Sequence, residues 1–546
     1  MKLKKNTFIQ GAFIATLGIV ISKILGVIYV VPFHAIIGEQ GGSLYGYAYT
    51  IYSIFLSISQ AGVPLAMSRL ISEYNTLGYY ADKEKIFRVG KRFLNIIGVI
   101  SFLVLFIFAP QIANLIIGDV TGGNTPEDIA FVIRLISTAI LVVPILSVSR
   151  GYLQGHRFIT PTSISQVIEQ IVRVLIIIIG SFVSYKVLKL PLSIAVGCAV
   201  FAATVGSLCS YLYLRIKIRK NKTDLNTESV CKEPELSTMD IMKMIAVYAV
   251  PLILIELFRS IFNSVDVMMI VKALANDFGY AARDAESILS VITTWGSKLN
   301  SIIISIVAGL MTSLIPNLTR SIVKKDIDEK INQTFQIILG VSLPMTIGLS
   351  FLTPLVWNVF YGSSTYGPTV YTFQVFIAFA TTIFSASMTI SQLLKEYKLV
   401  YVGLIIGFLM KVSLNIPMMY LFNTIGRPFY GSIATSILSF VTASMFCLLI
   451  IKRKYKISLK PTLKVFVNIL GGVALMLLVM FIMKIIFPFK LDNRLLSLLM
   501  AVVYAFVGGG VYLAFMYITK TLESIFGEAN LRKIRNFLKR RKKQEA

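Results

Sequence analysis

The sequence predicts an all-α polytopic membrane protein, and three observations lead to that fold class. Of the 546 residues, 56% are hydrophobic and only 14% are charged, whereas an ordinary soluble protein carries about 25% charged residues. Apolar runs recur along the whole chain, and most of them reach the roughly 20 helical residues that a bilayer crossing requires. Lys and Arg are concentrated in every second connection between these runs. We therefore expect fourteen transmembrane helices, arranged as two six-helix lobes related by a parallel pseudo-repeat and followed by two C-terminal helices.

The first apolar run, residues 8–31, follows a short basic N-terminus. It is too long for the core of a signal peptide and no small-residue cleavage site follows it, so we interpret it as a retained membrane helix. Five more runs complete the first set of six, and eight come after a polar stretch. The predicted helices lie near 8–31, 45–64, 93–111, 131–149, 162–185, 191–213, 244–271, 287–315, 331–353, 370–394, 399–421, 429–451, 463–487 and 494–517.

This grouping divides the chain into five predicted regions. They are an N-lobe (1–213), a cytoplasmic loop (214–243), a C-lobe (244–451), a pair of additional helices (452–517) and a basic cytoplasmic tail (518–546). In the tail, apolar residues share one helical face and are surrounded by Lys and Arg. Such a helix would lie on an anionic membrane surface; the alternative is that its charges only fix the topology.

The distribution of positive charge predicts the orientation. With the N-terminus in the cytoplasm, segments assigned to the inside hold 39 of the 53 Lys and Arg, segments assigned to the outside hold 8, and six lie within helices. Because cytoplasmic loops of membrane proteins are rich in Lys and Arg, we expect both termini inside the cell. The net charge of +27 therefore reflects topology, and we expect no nucleic-acid partner.

Two matching spacings indicate an internal repeat. Gln154 precedes Arg173 by 19 residues, and Gln392 precedes Lys411 by the same 19. Both basic residues fall near the middle of the fifth predicted helix of their half. Since each half begins on the inside and has an even number of helices, the two repeats would be parallel.

Basic residues within the predicted helices are the main candidates for function. A charge near the bilayer centre costs about 2.5–3.5 kcal/mol on insertion scales and is usually present for function. Arg134 lies close to the outer end of its helix, where its side chain would extend to the interface, and this is also an alternative for Lys23. The candidate binding residues are Lys23, Arg173, Arg259, Lys298 and Lys411. Their excess positive charge suits an anionic ligand such as a phosphate or pyrophosphate.

Three acids lie at comparable depth: Glu169, Glu256 and Asp266. Glu169 stands four residues before Arg173 and Glu256 three before Arg259, so each pair fits on one helix face. Such pairs would either belong to the binding site or only hold helices together. Asp266 has no basic residue within four positions along the chain, and we expect it to titrate or to bind a coupling cation.

We expect neither a catalytic residue nor a metal site. His34 lies near the first predicted outside loop and His156 in a short inside loop, with no cysteine or carboxylate cluster beside either in the sequence. The four cysteines form no C-x-x-C pair, which argues against disulfides and metal ligands. The sequence therefore indicates a transporter, not an enzyme, that works without a cofactor and is driven by the membrane potential or by a bound ion.

Three stretches carry a resemblance to a known family. They are Ser22-Lys23-Ile24-Leu25-Gly26 in the first helix, the run from Gly62 to Tyr74, and Gly151-Tyr152-Leu153-Gln154-Gly155 after the fourth helix. Together with the grouping of six, six and two helices, they make the chain resemble the MurJ lipid II flippase family. The likeness is to its Gram-positive YtgP- and SpoVB-like branch, within the MOP (multidrug/oligosaccharidyl-lipid/polysaccharide) exporter superfamily, and it covers essentially the whole chain.

The resemblance implies two lobes around a central basic cavity, and a groove for a polyprenyl tail formed by the last two helices. The cargo would be undecaprenyl-pyrophosphate-linked peptidoglycan precursor (lipid II), moved by alternating access from the inner to the outer leaflet of a bacterial plasma membrane. Lys23 and Lys298 take the places of two arginines of the family. The chain departs from the family pattern at Tyr29 and Val30, where many members have an Arg-Asp pair, and at Ser297, where the family has an aspartate.

Other functions stay open as alternatives. Either the chain carries another polyprenyl-linked polysaccharide unit, or it is a cation-coupled antiporter of the related MATE type, which would have twelve helices and an acid-rich cavity. A membrane-embedded transferase and a structural role in cell-wall assembly are weaker alternatives. The expected partners are the lipid-linked glycan, membrane lipids and the cell-wall synthesis machinery, and we expect a monomer.

Overall fold

The structure, a computed structural model, describes residues 8–60, 62–221, 236–324 and 327–526, and all regular elements in these ranges are helices. The helices before the central loop are α1 (Phe8–Ile28), α2 (Val30–Gln60), α3 (Val63–Thr76), α4 (Tyr80–Ile107), α5 (Ala109–Ile117), α6 (Pro126–Ser137), α7 (Val143–Gly155), α8 (Ile159–Phe182) and α9 (Leu192–Lys220). Those after it are α10 (Thr238–Lys272), α11 (Ala282–Ser290), α12 (Gly296–Lys324), α13 (Ile327–Phe351), α14 (Thr353–Tyr361), α15 (Gly367–Gln374), α16 (Phe376–Leu393), α17 (Tyr397–Asn423), α18 (Phe429–Lys454), α19 (Lys460–Ile486), α20 (Arg494–Ile518) and α21 (Thr521–Phe526). A 3₁₀ turn joins α6 to α7, and π-helical turns follow α8, α10 and α11 (Thr138–Leu141, Val183–Val187, Ala273–Asp277 and Val291–Trp295).

The predicted all-α polytopic fold is confirmed. Among the described residues, thirteen helical stretches are long and apolar enough to cross a membrane, and the first of them is Val30–Thr76, so α1 precedes the set. The exact number of fourteen stays a prediction. Residues 222–235 of the predicted loop and 527–546 of the predicted tail lie outside the described residues.

The chain forms two compact units, Met1–Trp295 and Gly296–Ala546. The division falls directly after the π-helical turn Val291–Trp295, which interrupts one long apolar stretch between α11 and α12. The first unit thus includes α10 and α11 as well as the six predicted helices of the N-lobe. The boundaries of the predicted lobes stay a prediction.

The region between the first two predicted helices is helical instead of a loop. We predicted the second helix from residue 45, but α2 already begins at Val30 and changes direction at Gly38 (φ 64°). A glycine adopts this left-handed backbone without a steric penalty. His34 is consequently buried inside α2, and its ring lies 4.8 Å from that of Trp295 in an edge-on arrangement.

Two of the stretches that carry the family resemblance pack against each other in the first unit. α3 contains most of the run from Gly62 to Tyr74, and α7 contains Gly151 and Gly155. A Cβ on Gly151 would lie 2.7 Å from the carbonyl oxygen of Pro64, and one on Gly155 would lie 2.7 Å from Cβ of Ile71. Because no larger residue fits at these two positions, the glycines fix how closely α3 and α7 approach.

The turn between the fourth and fifth predicted helices is repeated in the two units. Arg157 and Lys395 occupy the same place after α7 and α16, with φ values of 64° and 61°. Their backbone N–H groups donate to the carbonyls of Gln154 and Gln392, each at 2.9 Å. These are the glutamines whose spacing predicted the repeat. A basic residue in this position also faces the negative end of the helix dipole.

A second local structure is repeated at the end of the third predicted helix. α4 and α13 each break at a residue followed by a short helix, α5 or α14, that has a proline in its first turn. Both short helices end at a glycine with positive φ, Gly118 at 57° and Gly362 at 77°. The parallel pseudo-repeat stays a prediction, and these two local similarities agree with it.

The C-terminal helix pair belongs to the core of the second unit. α19 and α20 pack against each other and against α13 and α14, and the core between them is rich in methionine and tyrosine. The hydroxyl of Tyr512 donates to the carbonyl of Gly340 at 2.8 Å, and the amide of Asn358 donates to Ser497 Oγ at 2.9 Å. These hydrogen bonds attach α20 to α13 and α14.

A buried carboxylate ties a connecting loop to the first unit. Glu286 of α11 is fully buried, and its two oxygens accept the backbone N–H of Asn124 at 3.0 and 3.1 Å. Tyr47 lies at 3.5 Å from the same carboxylate, and a Cβ on Gly123 would lie 2.7 Å from Glu286 Oε2. The loop between α5 and α6 is therefore fitted around this side chain.

We expect Glu286→Ala to lower the thermal unfolding temperature of the purified protein. The substitution leaves the Asn124 N–H buried without an acceptor, which costs about 1–3 kcal/mol. Asp277→Ala, which removes an exposed acid of the preceding turn, is the matched control and should leave the unfolding temperature unchanged. Equal unfolding temperatures for both variants would contradict the role assigned to Glu286.

Candidate binding site

α1 carries Lys23 and packs along α8. A Cβ on Gly18 would lie 3.0 Å from Cβ of Ser163, and one on Gly26 would lie 3.5 Å from Nε2 of Gln170. Small residues on α1 therefore allow the two helices to approach closely. The side chain of Lys23 is exposed and lies near enough to Arg259 of α10 for the two positive charges to interact. Two of the five candidate cations thus share one neighbourhood, in which a bound anion would offset their repulsion.

A buried ion-pair network, here called the triad, consists of Arg150, Glu169 and Arg173. Glu169 Oε1 accepts from Nη2 of Arg173 at 2.7 Å, as the four-residue spacing on α8 predicted, and Oε2 accepts from Nη2 of Arg150 at 2.8 Å. The side chains of Arg150, Glu169 and Arg173 are 12%, 11% and 24% exposed. Two guanidinium groups and one carboxylate give the triad a net charge of about one positive unit at neutral pH.

Arg150 is held by two helices in addition to its own. Its Nε donates to Ser165 Oγ of α8 at 3.0 Å, and its Nη2 donates to Ser210 Oγ of α9 at 3.0 Å. Gly206 allows α9 to come this close, since a Cβ there would lie 2.8 Å from the carbonyl oxygen of Glu169. The triad is therefore built into the contact between α7, α8 and α9.

Three tyrosines of α2, here called the tyrosine row, lie beside Arg173. Tyr45, Tyr49 and Tyr52 follow one another at helical spacing, with ring centroids 4.4 and 5.9 Å apart, and α2 packs against α8, which carries Arg173. The rings of Tyr29 and Tyr45 both lie beside that of Phe33, with centroid distances of 6.0 and 5.3 Å. Tyr29, one of the three positions at which the chain departs from the family pattern, thus packs among the aromatic side chains of α2.

The second predicted pair is looser than the first. Arg259 Nη1 lies 3.7 Å from Glu256 Oε1, and their side chains are 38% and 46% exposed. An ion pair that is this exposed to solvent contributes little to stability. Asp266, on the same helix, is buried, and its role in coupling stays a prediction.

The remaining two candidates belong to the second unit. Lys298 is half-buried in the first turn of α12, directly after the π-helical turn Val291–Trp295. Lys411 is completely buried between α17 and α18, where its ammonium group donates to Ser436 Oγ at 2.5 Å and to the carbonyl of Ser432 at 3.1 Å. In this conformation Lys411 is therefore solvated by hydroxyl and carbonyl oxygens of α18, and it is closed to a ligand.

Sequence reasoning missed Arg150 and the tyrosine row. Arg150 was assigned to an inside connection because it follows the predicted helix 131–149, but α7 continues to Gly155 and brings it into the bundle. Its position directly before the Gly151–Gly155 stretch is a signal that it lies in a packed segment. The tyrosines repeat at positions that share one helix face, and this pattern was visible in the sequence.

Comparisons with known proteins agree with this architecture. Residues 8–321 match the model of a family described as polysaccharide biosynthesis proteins. Over 537 residues the chain is 32% identical to the lipid II flippase MurJ of Bacillus subtilis (strain 168), and the alignment covers 96% of this chain and 97% of that protein. The chain belongs to the MurJ-type flippase family. It is accordingly a multi-pass membrane protein from a family of transporters, not of enzymes.

Solved structures of MOP-superfamily transporters share the fold. A structure titled lipid II flippase MurJ in an inward closed conformation has a TM-score of 0.61 at 17% identity, and the match covers 93% of this chain and 98% of that one. An inward-facing MATE family multidrug resistance transporter of the MOP superfamily has a TM-score of 0.64 at 13% identity, covering 81% of this chain and 98% of that one. At these identities the match concerns the fold alone. The match to the MurJ structure covers a larger share of this chain than the match to the MATE structure.

We expect Ser436→Ala to lower the thermal unfolding temperature, because the buried ammonium group of Lys411 loses its shortest hydrogen bond. A hydrogen bond to a charged group contributes about 1.5–3 kcal/mol. Ser413→Ala removes an exposed hydroxyl of α17 and serves as the control. If the two variants unfold at the same temperature, Lys411 does not depend on Ser436 for its solvation.

Proposed function

We propose that the chain is a flippase for undecaprenyl-pyrophosphate-linked peptidoglycan precursor, lipid II, and moves it from the inner to the outer leaflet. The observation that carries this proposal is the 32% identity to Bacillus subtilis MurJ along nearly the full length of both chains. Because the similarity extends over nearly the full length of both chains, it includes the helices proposed here for the cavity and for the lipid tail.

The charges within the helices support an anionic cargo. Lys23, Arg173, Arg259 and Lys298 are the proposed contacts for the pyrophosphate, and Lys411 would join them only in a conformation that opens the contact between α17 and α18. Arginine binds phosphate oxygens through paired N–H groups, and lysine acts as a compact positive charge. Arg150 and Arg173 share the single carboxylate of Glu169, so this group of three side chains keeps a net positive charge.

The proposed mechanism is alternating access, in which the cavity opens first to the cytoplasm and then to the outside. Transport in one direction requires a bias between the two states, and we propose that the membrane potential or an ion bound at Asp266 supplies it. α19 and α20 would guide the polyprenyl tail. Their outer faces are strongly apolar, with Ile485, Phe506 and Ile518 each at least 70% exposed, which suits contact with lipid chains.

A second candidate is a flippase for another polyprenyl-linked polysaccharide unit. The description of the matching family, polysaccharide biosynthesis protein, favours this wider range of cargo. Both candidates share the lipid pyrophosphate and differ in the glycan. Cation–drug antiport is disfavoured because basic residues outnumber acids among the charges within the predicted helices.

We expect the chain to restore growth of bacteria depleted of their essential lipid II flippase, and Lys23→Ala and Lys298→Ala to abolish that rescue at unchanged protein level. Each substitution removes a positive charge from the proposed pyrophosphate site. Lys186→Ala, which removes an exposed lysine near the end of the fifth predicted helix, is the matched control and should rescue normally.

Full rescue by both Lys23→Ala and Lys298→Ala would overturn the assignment of the binding residues. Failure of the unaltered chain, when it is well expressed and correctly inserted, would favour the second candidate cargo.

A further inference from the structure

We infer that Arg150 is a positioning residue of the anion site: it holds Glu169 so that Arg173 is released for a phosphate group of the lipid substrate. This inference rests on the proposed function, because it names how that site engages its anion. It concerns a residue outside the set predicted from the sequence.

The first observation is that two arginines share one carboxylate. Each oxygen of Glu169 accepts from a different guanidinium group, Oε1 from Arg173 at 2.7 Å and Oε2 from Arg150 at 2.8 Å. When an anion takes Arg173 away from Oε1, the ion pair with Arg150 remains. Glu169 is therefore not left as an uncompensated buried charge, a state that destabilises a protein strongly.

The second observation is that the two arginines are anchored unequally. Besides Glu169, Arg150 donates to Ser165 and Ser210, and Ser210 Oγ in turn donates to the backbone carbonyl of Ser165 at 2.8 Å. Arg173 is twice as exposed, and its Nε is buried without a hydrogen-bond partner among the described residues. Arg150 is thus the fixed member of the triad, and Arg173 has a donor left for a ligand oxygen.

The third observation is the surroundings of Arg173. α2, which carries the tyrosine row, packs against α8, which carries Arg173, and hydroxyl groups donate readily to phosphate oxygens. Glu169 and Arg173 lie one turn apart near the middle of α8. An anion at this position would meet one arginine and several hydroxyl groups.

Counting charges makes the inference testable. The triad carries about one net positive charge in the unaltered protein, none in Arg150→Gln, two in Glu169→Gln, and again one in the double variant. If Arg150 acts by occupying Glu169, then removing Glu169 as well restores the anion site. If Arg150 only supports the packing of α7, α8 and α9, the double variant is at least as impaired as Arg150→Gln.

The experiment measures binding of undecaprenyl pyrophosphate to the full chain in lipid nanodiscs. We expect Arg150→Gln to raise the Kd about tenfold or more, equivalent to the loss of one charge-assisted hydrogen bond. The double variant Arg150→Gln/Glu169→Gln should return to within about threefold of the unaltered protein. Arg150→Lys, which keeps the charge, should also bind nearly normally. Arg215→Gln removes an exposed arginine of α9 and is the control.

The possible failures are distinguishable. Absence of binding by the unaltered chain would overturn the proposed function, and the inference with it. Binding by the unaltered chain with no effect of Arg150→Gln would overturn the inference alone. A double variant that binds as weakly as Arg150→Gln would also overturn the inference alone. If Arg150→Gln is poorly folded, Arg150→Lys tests the role of the charge in a folded protein.

Discussion

The cost of placing a charge inside a membrane-embedded helix bundle is the constraint on which this structure depends. Such a charge loses its water and is tolerated only where the protein provides other partners. The chain meets this constraint in two ways. In the first unit, Glu169 compensates Arg150 and Arg173 together. In the second, oxygens of Ser432 and Ser436 accept hydrogen bonds from the ammonium group of Lys411.

Arg173 and Lys411 occupy corresponding places in the predicted repeat, but their charges are compensated differently. Arg173 and Lys411 follow the repeated turns at Arg157 and Lys395 by the same 16 residues. Lys411 is completely buried, whereas the side chain of Arg173 is 24% exposed. Two equivalent positions of the predicted repeat thus hold their cations in different ways.

Much of the fold was readable from the sequence, and the limits have physical causes. Apolar runs and positive-inside counting predicted the helices, and the four-residue spacing predicted the contact between Glu169 and Arg173. The partners of Arg150 and Lys411 come from other helices, and pairing across helices leaves no local pattern in a single sequence. The helical start of α2 was missed because Gly38 and the polar residues after it are typical of a loop. The π-helical turns, including the one before Lys298, have no sequence signal that we recognise.

The most direct measurement is the exposure of peptidoglycan precursor on the outer leaflet of cells that lack their own lipid II flippase and express this chain. We expect exposure to return with the unaltered chain and to be lost again with Lys298→Ala, at equal amounts of inserted protein. Growth of these cells without restored exposure would indicate an indirect effect. A well-inserted chain that leaves the precursor on the inner leaflet would contradict lipid II as the cargo.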